Sequence, residues 1–194
     1  MSEYKLSENN WTRVAVFAGG DRGYYRTDFD CFVGVDRGSL WVLEEDLPLA
    51  LAVGDFDSVT EKERQLIKEH SVDFIQAHPE KDDTDLELAL VTIFEKNPQA
   101  EVTIFGALGG RIDHMLANVF LPSNPKLAPY MRQIAIEDGQ NLITYCPEGT
   151  SQLHPRSDYD YLAFMPVRDS QLTILGAKYE LTEENFFFKK VYAS

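Results

Sequence analysis

Apolar positions in the first two-thirds of the chain follow two different spacings, and the spacings alternate. Short continuous apolar runs, rich in β-branched residues and bounded by Gly or Asp, predict buried strands at Arg13–Ala18, Cys31–Val35, Leu49–Val53, Val72–Ala77 and Val102–Phe105. Between several of them the spacing changes to that of a helix. Thr60 to Glu69 opens with Thr60-x-x-Glu63, a capping box, and sets Leu66 and Ile67 on one face. Asp85 to Lys96 carries Leu86, Ala89, Leu90, Ile93 and Phe94, a stripe one helical face wide. Asp113 to Leu121 begins with an Asp cap and is expected to bury Leu116, Val119 and Phe120. Strand and helix in alternation predict a mostly parallel sheet covered by helices.

The pattern changes where Pro122, Pro125 and Pro129 punctuate the chain. Beyond them come further short runs, Gln133–Glu137, Leu142–Tyr145, Tyr161–Pro166, Gln171–Leu175 and Phe186–Tyr192, separated by Gly, Asp, Pro and Asn turns and without an amphipathic helix. They predict a small antiparallel β domain of sandwich type. The expected organisation is an α/β domain over residues 1–128 and an all-β sandwich over 129–194. Trp41 is read as a buried helix residue and Phe186-Phe187-Phe188 as β core.

Composition narrows the class. At 44% hydrophobic and 26% charged, the 194 residues are those of an ordinary globular protein. No apolar run approaches membrane-spanning length, and Met1 to Asn10 is polar, unlike a signal peptide. Cys31 and Cys146 lie far apart beside apolar runs, which predicts buried free thiols in a reducing, cytoplasmic setting. A formal charge of −14 argues against nucleic-acid binding, which needs clustered Lys and Arg. It does not exclude small anionic ligands, because a bound divalent cation reverses the local sign of an acidic pocket.

In an open parallel sheet, ligands bind beyond the carboxyl ends of the strands. Five successive strand ends carry Gly, Asp or Arg there: Gly19-Gly20-Asp21, Asp36-Arg37-Gly38, Gly54-Asp55-Phe56-Asp57-Ser58, Lys81-Asp82-Asp83-Thr84-Asp85 and Gly106 through His114. Asp55 and Asp57, two residues apart in extended chain, can face one ion, and Mg²⁺ is the ion that takes a few carboxylates and leaves room for water and phosphate. Thr84-x-x-Glu87 is a second capping box, yet Asp82, Asp83 and Asp85 supply more charge than a cap needs, which again suggests a metal. In the last loop, glycines let backbone N–H groups approach an anion and Arg111 offers a forked phosphate donor. Neither a dinucleotide fingerprint nor a P-loop occurs. His114 is either a base or a structural hydrogen-bonding residue.

Taken together, Gly54-Asp55-Phe56-Asp57-Ser58, Asp82-Asp83-Thr84-Asp85 and Gly109-Gly110-Arg111-Ile112-Asp113-His114 closely resemble the thiamine pyrophosphokinase family. Val35-Asp36-Arg37-Gly38 and Leu175-Gly176-Ala177-Lys178-Tyr179-Glu180-Leu181 fit the same pattern, so the resemblance covers nearly the whole chain. It implies an α/β catalytic, nucleotide-binding domain, a C-terminal thiamine-binding β-sandwich, and a homodimer with active sites between subunits. It implies that ATP gives its terminal pyrophosphate to the hydroxyl of thiamine, forming thiamine diphosphate and AMP with Mg²⁺.

Residue by residue, the resemblance makes Asp55, Asp57 and Asp85 the Mg²⁺-facing carboxylates, with Asp82 close by. Arg111 and Asp113 complete the catalytic set. The nucleotide would meet Gly20, Asp36, Arg37, Gly38, Ser58, Thr84, Gly109, Gly110, Arg111 and His114, and thiamine would meet Lys81 and Ser194. Asp113 would orient either the hydroxyl or a metal-bound water. The family pattern continues Ser-Asn-Glu where this chain ends at Ser194, either a truncation or a naturally short end. Two other readings compete: a phosphatase using Asp55 as nucleophile, and a nucleotide- or metal-sensing module without turnover.

Overall fold

The computed structural model describes residues 10–20, 22–78, 82–154, 156–167, 171–182 and 191–193. The chain divides into two compact units, one ending at Ser151 and the other beginning at Gln152.

The first unit is built on a sheet of strands β1 (Arg13–Phe17), β2 (Cys31–Val35), β3 (Leu49–Gly54), β4 (Asp73–Gln76), β5 (Glu101–Phe105), β6 (Ile134–Glu137) and β7 (Leu142–Thr144). Their order is β4-β3-β2-β1-β5-β6-β7, and every neighbouring pair is parallel except the antiparallel β6–β7 pair. Among the described residues four helices connect them: α1 (Gly38–Glu44), α2 (Glu61–His70), α3 (Asp85–Lys96) and α4 (Ile112–Val119). The central strands are buried along their length, as a sheet covered on both faces requires.

Alternation along the strands sorts the core into two layers. Val14, Val16, Val33, Val35, Leu51 and Val53 face one way and pack with Leu86, Ala89, Leu90, Ile93 and Phe94 of α3. Ala15, Phe17, Phe32 and Ala52 face the other way, with Leu40 and Val42 of α1 and Ile67 of α2. So α1 and α2 cover one face while α3 crosses the other, carrying the chain from the edge strand β4 back to β5. The strand order therefore reverses between β1 and β5, the position at which sheets of this kind open a crevice.

The helices predicted at 60–69 and 85–96 form with both capping boxes closed: Thr60 with Glu63, and Thr84 with Glu87. Other expectations need correction. Trp41 lies in a helix as expected, Gly38–Glu44, but it is half-buried, and no side-chain cap announces that helix. Helix α4 begins at Ile112, and Arg111, not Asp113, stands at its N-cap with no capping side chain. It buries none of its residues; Leu116 and Phe120 are exposed, and Ile112 is 70% exposed. Cys31 is buried, and burial pushes its thiol up to about 12, but Cys146 is exposed.

The expected domain boundary at 128/129 also moves. Strands β6 and β7 belong to the large sheet, where Val102 pairs with Ile134 and Thr103 with Ala135. Short 3₁₀ turns at Leu121–Ser123 and Ala128–Gln133 carry the chain from α4 into β6. The prolines thus mark a turn within the first unit.

The second unit is all-β among its described residues. Strands β8 (Ala163–Phe164) and β9 (Tyr192–Ala193) pair antiparallel, and Ile174 and Leu181 form an isolated bridge with both side chains buried. The run predicted at Gln171–Leu175 thus contributes a single bridge. Most of the predicted Phe186–Tyr192 run, Phe186-Phe187-Phe188 included, lies outside the described residues.

Candidate metal and phosphate site

The loops after β2, β3 and β4 meet at one edge of the sheet. Asp36 follows β2, Asp55 follows β3, and Asp85 is the first residue of α3. One carboxylate oxygen of each lies within 4.8 Å of the others, the one such group among the described residues. All three are half-buried. Asp57, expected with them, is exposed and lies outside this trio; its N–H donates to Asp55 Oδ1 at 3.0 Å, fixing the tight turn. The spacing argument that pairs Asp55 with Asp57 assumes extended chain, whereas Phe56 between them has a left-handed backbone, φ 59°.

Local structure explains these positions. Asp36 has φ 48°, a conformation that non-glycine residues adopt at a cost and Asp better than most. Its N–H donates to Val53 O at 2.9 Å, and its Oδ1 accepts from Phe56 N–H at 3.1 Å. Asp36 therefore ties the end of β2 to the loop after β3. Gly54 is needed for that tie, because a Cβ there would stand 2.0 Å from Asp36 Oδ1. Gly38 has a comparable role in the neighbouring layer, where a Cβ would meet Phe17 O at 1.9 Å and push α1 off the end of β1. The Phe56 ring is buried and stacks on Phe74 with centroids 4.8 Å apart and planes 12° from parallel. A buried ring thus holds the turn that carries Asp55.

Burial first and then the Asp85 charge, with smaller pushes from Asp55 and Asp57, raise the Asp36 carboxyl to about 7 against the pull of the Phe56 N–H. Three carboxylates this close repel, and a bound divalent cation relieves that repulsion. The donor set is all oxygen, which suits Mg²⁺, and three carboxylates leave coordination positions for water or phosphate. These residues fit the ion.

The remaining predicted residues spread along the same edge. Thr84 caps α3, and Asp82 is exposed just before it. Arg37 and Ser58 are exposed in the loops after β2 and β3. Gly20 donates to Gly106 O at 3.2 Å, joining the loops that follow β1 and β5 across the crevice. Gly109 and Gly110 have φ 89° and 66° in the loop after β5. Beyond them Arg111 makes a two-pronged contact with Asp113, Nε to Oδ1 at 3.2 Å and Nη2 to Oδ2 at 2.6 Å. That guanidinium holds the Asp113 carboxyl below its ordinary range, and both side chains are largely exposed. His114 is exposed on the first turn of α4. Lys81 and Ser194 lie outside the described residues.

The sequence signal for Asp36 as a member of the trio is weak, because a single Asp before Arg-Gly has no spacing to mark it as a ligand. Asn118 is a residue that sequence reasoning misses: its side chain donates to Ala107 O at 2.8 Å and ties α4 to the loop after β5. An Asn six residues after Ile112 carries no periodic signal.

The family description "Thiamin pyrophosphokinase, catalytic domain" matches residues 24–130, and "Thiamin pyrophosphokinase, vitamin B1 binding domain" matches residues 150–194. The thiamine pyrophosphokinase of Bacillus subtilis is 34% identical over 176 residues, which is 87% of this chain and 81% of that protein. The solved thiamin pyrophosphokinase family protein of Enterococcus faecalis superposes with a TM-score of 0.85 at 45% identity, over 94% of this chain and 88% of that one. The enzyme of Geobacillus thermodenitrificans gives a TM-score of 0.70 at 34% identity, over 88% of this chain and 81% of that one. The chain belongs to the thiamin pyrophosphokinase family, and is an enzyme of that family.

Proposed function

We propose that the chain transfers the terminal pyrophosphate of ATP to the hydroxyl of thiamine, in a Mg²⁺-dependent reaction that releases AMP. The observation that carries the Mg²⁺-nucleotide component of this reading is the trio of Asp36, Asp55 and Asp85, with oxygens within 4.8 Å at the carboxyl edge of the sheet. Family membership supports the transfer to thiamine.

The chemistry follows from the residues. The thiamine hydroxyl oxygen attacks the β-phosphorus, the bond from that phosphorus to the bridging oxygen of the α-phosphate breaks, AMP carries that oxygen away, and the hydroxyl proton passes to a base or water. No protein nucleophile is needed; such a transfer depends on placing the two oxygens in line and neutralising charge. Bound at the trio, Mg²⁺ would supply charge neutralisation on the phosphate oxygens. Arg111 exchanges Asp113 for phosphate oxygens and takes up charge that grows in the transition state. Asp113, released, would orient the thiamine hydroxyl or a water beside it. The N–H groups of Gly109 and Gly110 can approach the phosphates closely because no side chain intervenes. Asp57 and Asp82 add negative charge at the rim of the trio. The reading includes a homodimer with active sites between subunits, checked by sedimentation, and a cytoplasmic location.

The test is AMP release from ATP and Mg²⁺ with and without thiamine, with chromatography of the products. Thiamine-dependent AMP together with thiamine diphosphate is the expected result. ATP breakdown that ignores thiamine, or none at all, overturns the reading.

A further inference from the structure

The segment between α4 and β6 grips the acidic loop from outside the trio. Leu121 and Leu127, on either side of Asn124, are buried and belong to the same core layer as Leu86, Ala89 and Leu90 of α3. Between them, Asn124 is locked in place by its neighbours. Its Oδ1 accepts from Lys126 N–H at 2.9 Å, and its backbone oxygen accepts from the N–H groups of Leu127 and Ala128 at 2.9 Å each. The carboxamide so fixed turns its Nδ2 toward the acidic loop, donating to Asp83 Oδ1 at 3.2 Å and Glu87 Oε1 at 3.0 Å. Glu87 Oε2 accepts from Thr84 N–H at 2.8 Å, and the Lys126 ammonium pairs with Asp83 Oδ2. The contacts fall at residues 83, 84 and 87, on both sides of Asp85.

We propose that Asn124, assisted by Lys126, is a positioning residue for Asp85: it sets where that carboxylate stands relative to Asp36 and Asp55, and so sets the affinity for a Mg²⁺-nucleotide. The inference rests on the reading of the trio as the Mg²⁺-nucleotide site. The bracket does two things. It fixes the first turn of α3 to a segment some forty residues away along the chain, which the capping box alone cannot do. It also engages both oxygens of Asp83, keeping a fourth carboxylate turned toward residues 124–126 although it lies two residues from Asp85. Outer partners of this kind orient the groups that touch the ion.

The experiment is calorimetric titration of the full chain with Mg²⁺ and α,β-methylene-ATP, an analogue whose α–β bridge does not cleave, alongside KM and kcat for Mg²⁺-ATP. Asn124→Asp sets a third anion against Asp83 and Glu87 and is expected to weaken binding about tenfold or more, as loss of outer partners does at metal sites. The double variant Asn124→Asp/Asp83→Asn removes the clash with Asp83, leaves the one with Glu87, and should recover part of the affinity. Lys126→Met, at an exposed position, is expected to weaken binding about threefold without affecting folding, the scale of an exposed ion pair. In each case KM should move and kcat should hold. Unchanged affinity in Lys126→Met together with unchanged affinity in a folded Asn124→Asp overturns the proposal, as does a loss in Asn124→Asp that Asp83→Asn does nothing to recover. If Asn124→Asp fails to fold, Lys126→Met alone decides. A wild-type chain that does not bind the Mg²⁺-analogue overturns the proposed function and this inference with it; normal wild-type binding beside unaffected variants overturns this inference alone.

Discussion

Gly54 and Asp36 occupy one space: a methyl group on Gly54 would stand 2.0 Å from Asp36 Oδ1. The glycine at the end of β3 is therefore a condition for the aspartate at the end of β2, and through it for the trio. Gly54→Ala should displace Asp36, cost about 1–3 kcal/mol as overpacking does, and weaken Mg²⁺-nucleotide binding beyond what that loss of stability explains. Urea unfolding and calorimetry of the same variant separate the two effects.

Asp36 should make stability fall with rising pH. Its carboxyl is raised from 3.8 to about 7, chiefly by burial and then by Asp85, so the folded chain holds a proton that the unfolded chain has lost. Between those two values the folded state binds more protons, and the stability contributed by protonated Asp36 is lost as pH rises through the window. Asp36→Asn should flatten that slope and stabilise the metal-free chain above pH 7 by on the order of 1–2 kcal/mol, given that the group keeps some contact with water. Because Mg²⁺ competes with the same proton, affinity for the ion in the wild type should climb between about pH 6 and 8. A melting profile of Asp36→Asn parallel to that of the wild type would remove Asp36 from this account.

The position of Asp57 outside the trio predicts an order among variants. Asp55→Asn and Asp85→Asn should abolish measurable Mg²⁺ binding, and Asp57→Asn should weaken it less than either. Titrations of the three variants under one buffer decide it, and equal losses would place Asp57 among the ligands.

Phe56 is the mechanical support of the turn. It is 3% exposed, stacked on Phe74 and held at φ 59°. Phe56→Ala should cost about 3–5 kcal/mol, the range for removing a buried ring. Phe56→Leu, which fills some of the space, should cost less and keep turnover, as thermal melts and steady-state rates would show.

Arg26 and Glu137 join the connection between β1 and β2 to the end of β6 through two hydrogen bonds, at 3.2 and 3.0 Å. Glu137 is buried and Arg26 about one-third exposed. Arg26→Met should destabilise by about 1–3 kcal/mol by leaving the carboxylate without its main partner, and Arg26→Met/Glu137→Leu should recover some of that. Urea titration of both variants measures the recovery.

What the sequence reveals depends on whether the deciding contacts are local. Helix α3 is legible to its last residue because its stripe and its capping box are both written within a dozen or so neighbouring positions. The bounds of helix α1 are not, although Trp41 is read as helical, since the helix is short, opens on Gly38-Ser39 without a capping side chain, and contains Trp41 and Val42, which strands also favour. Strands β6 and β7 are visible as strands, but the sheet they join is chosen by Val102 pairing with Ile134, a relation that no local pattern contains. The site divides in the same way. Asp55 and Asp85 stand in dense acidic motifs, whereas Asp36 reaches them through the absence of a side chain at Gly54.

The strand order also governs how the chain can fold. β1 lies at the centre of the sheet, with β2 on one side and β5 on the other, and Val14 pairs with Cys31 early in the chain and with Val102 only late. During synthesis the first partner emerges soon after β1, but the opposite edge of β1 stays unpaired until Glu101–Phe105 has left the ribosome. An apolar strand with a bare edge invites pairing with other chains. Fragments that stop before Glu101 should therefore aggregate, and those that run through β6 should stay dispersed.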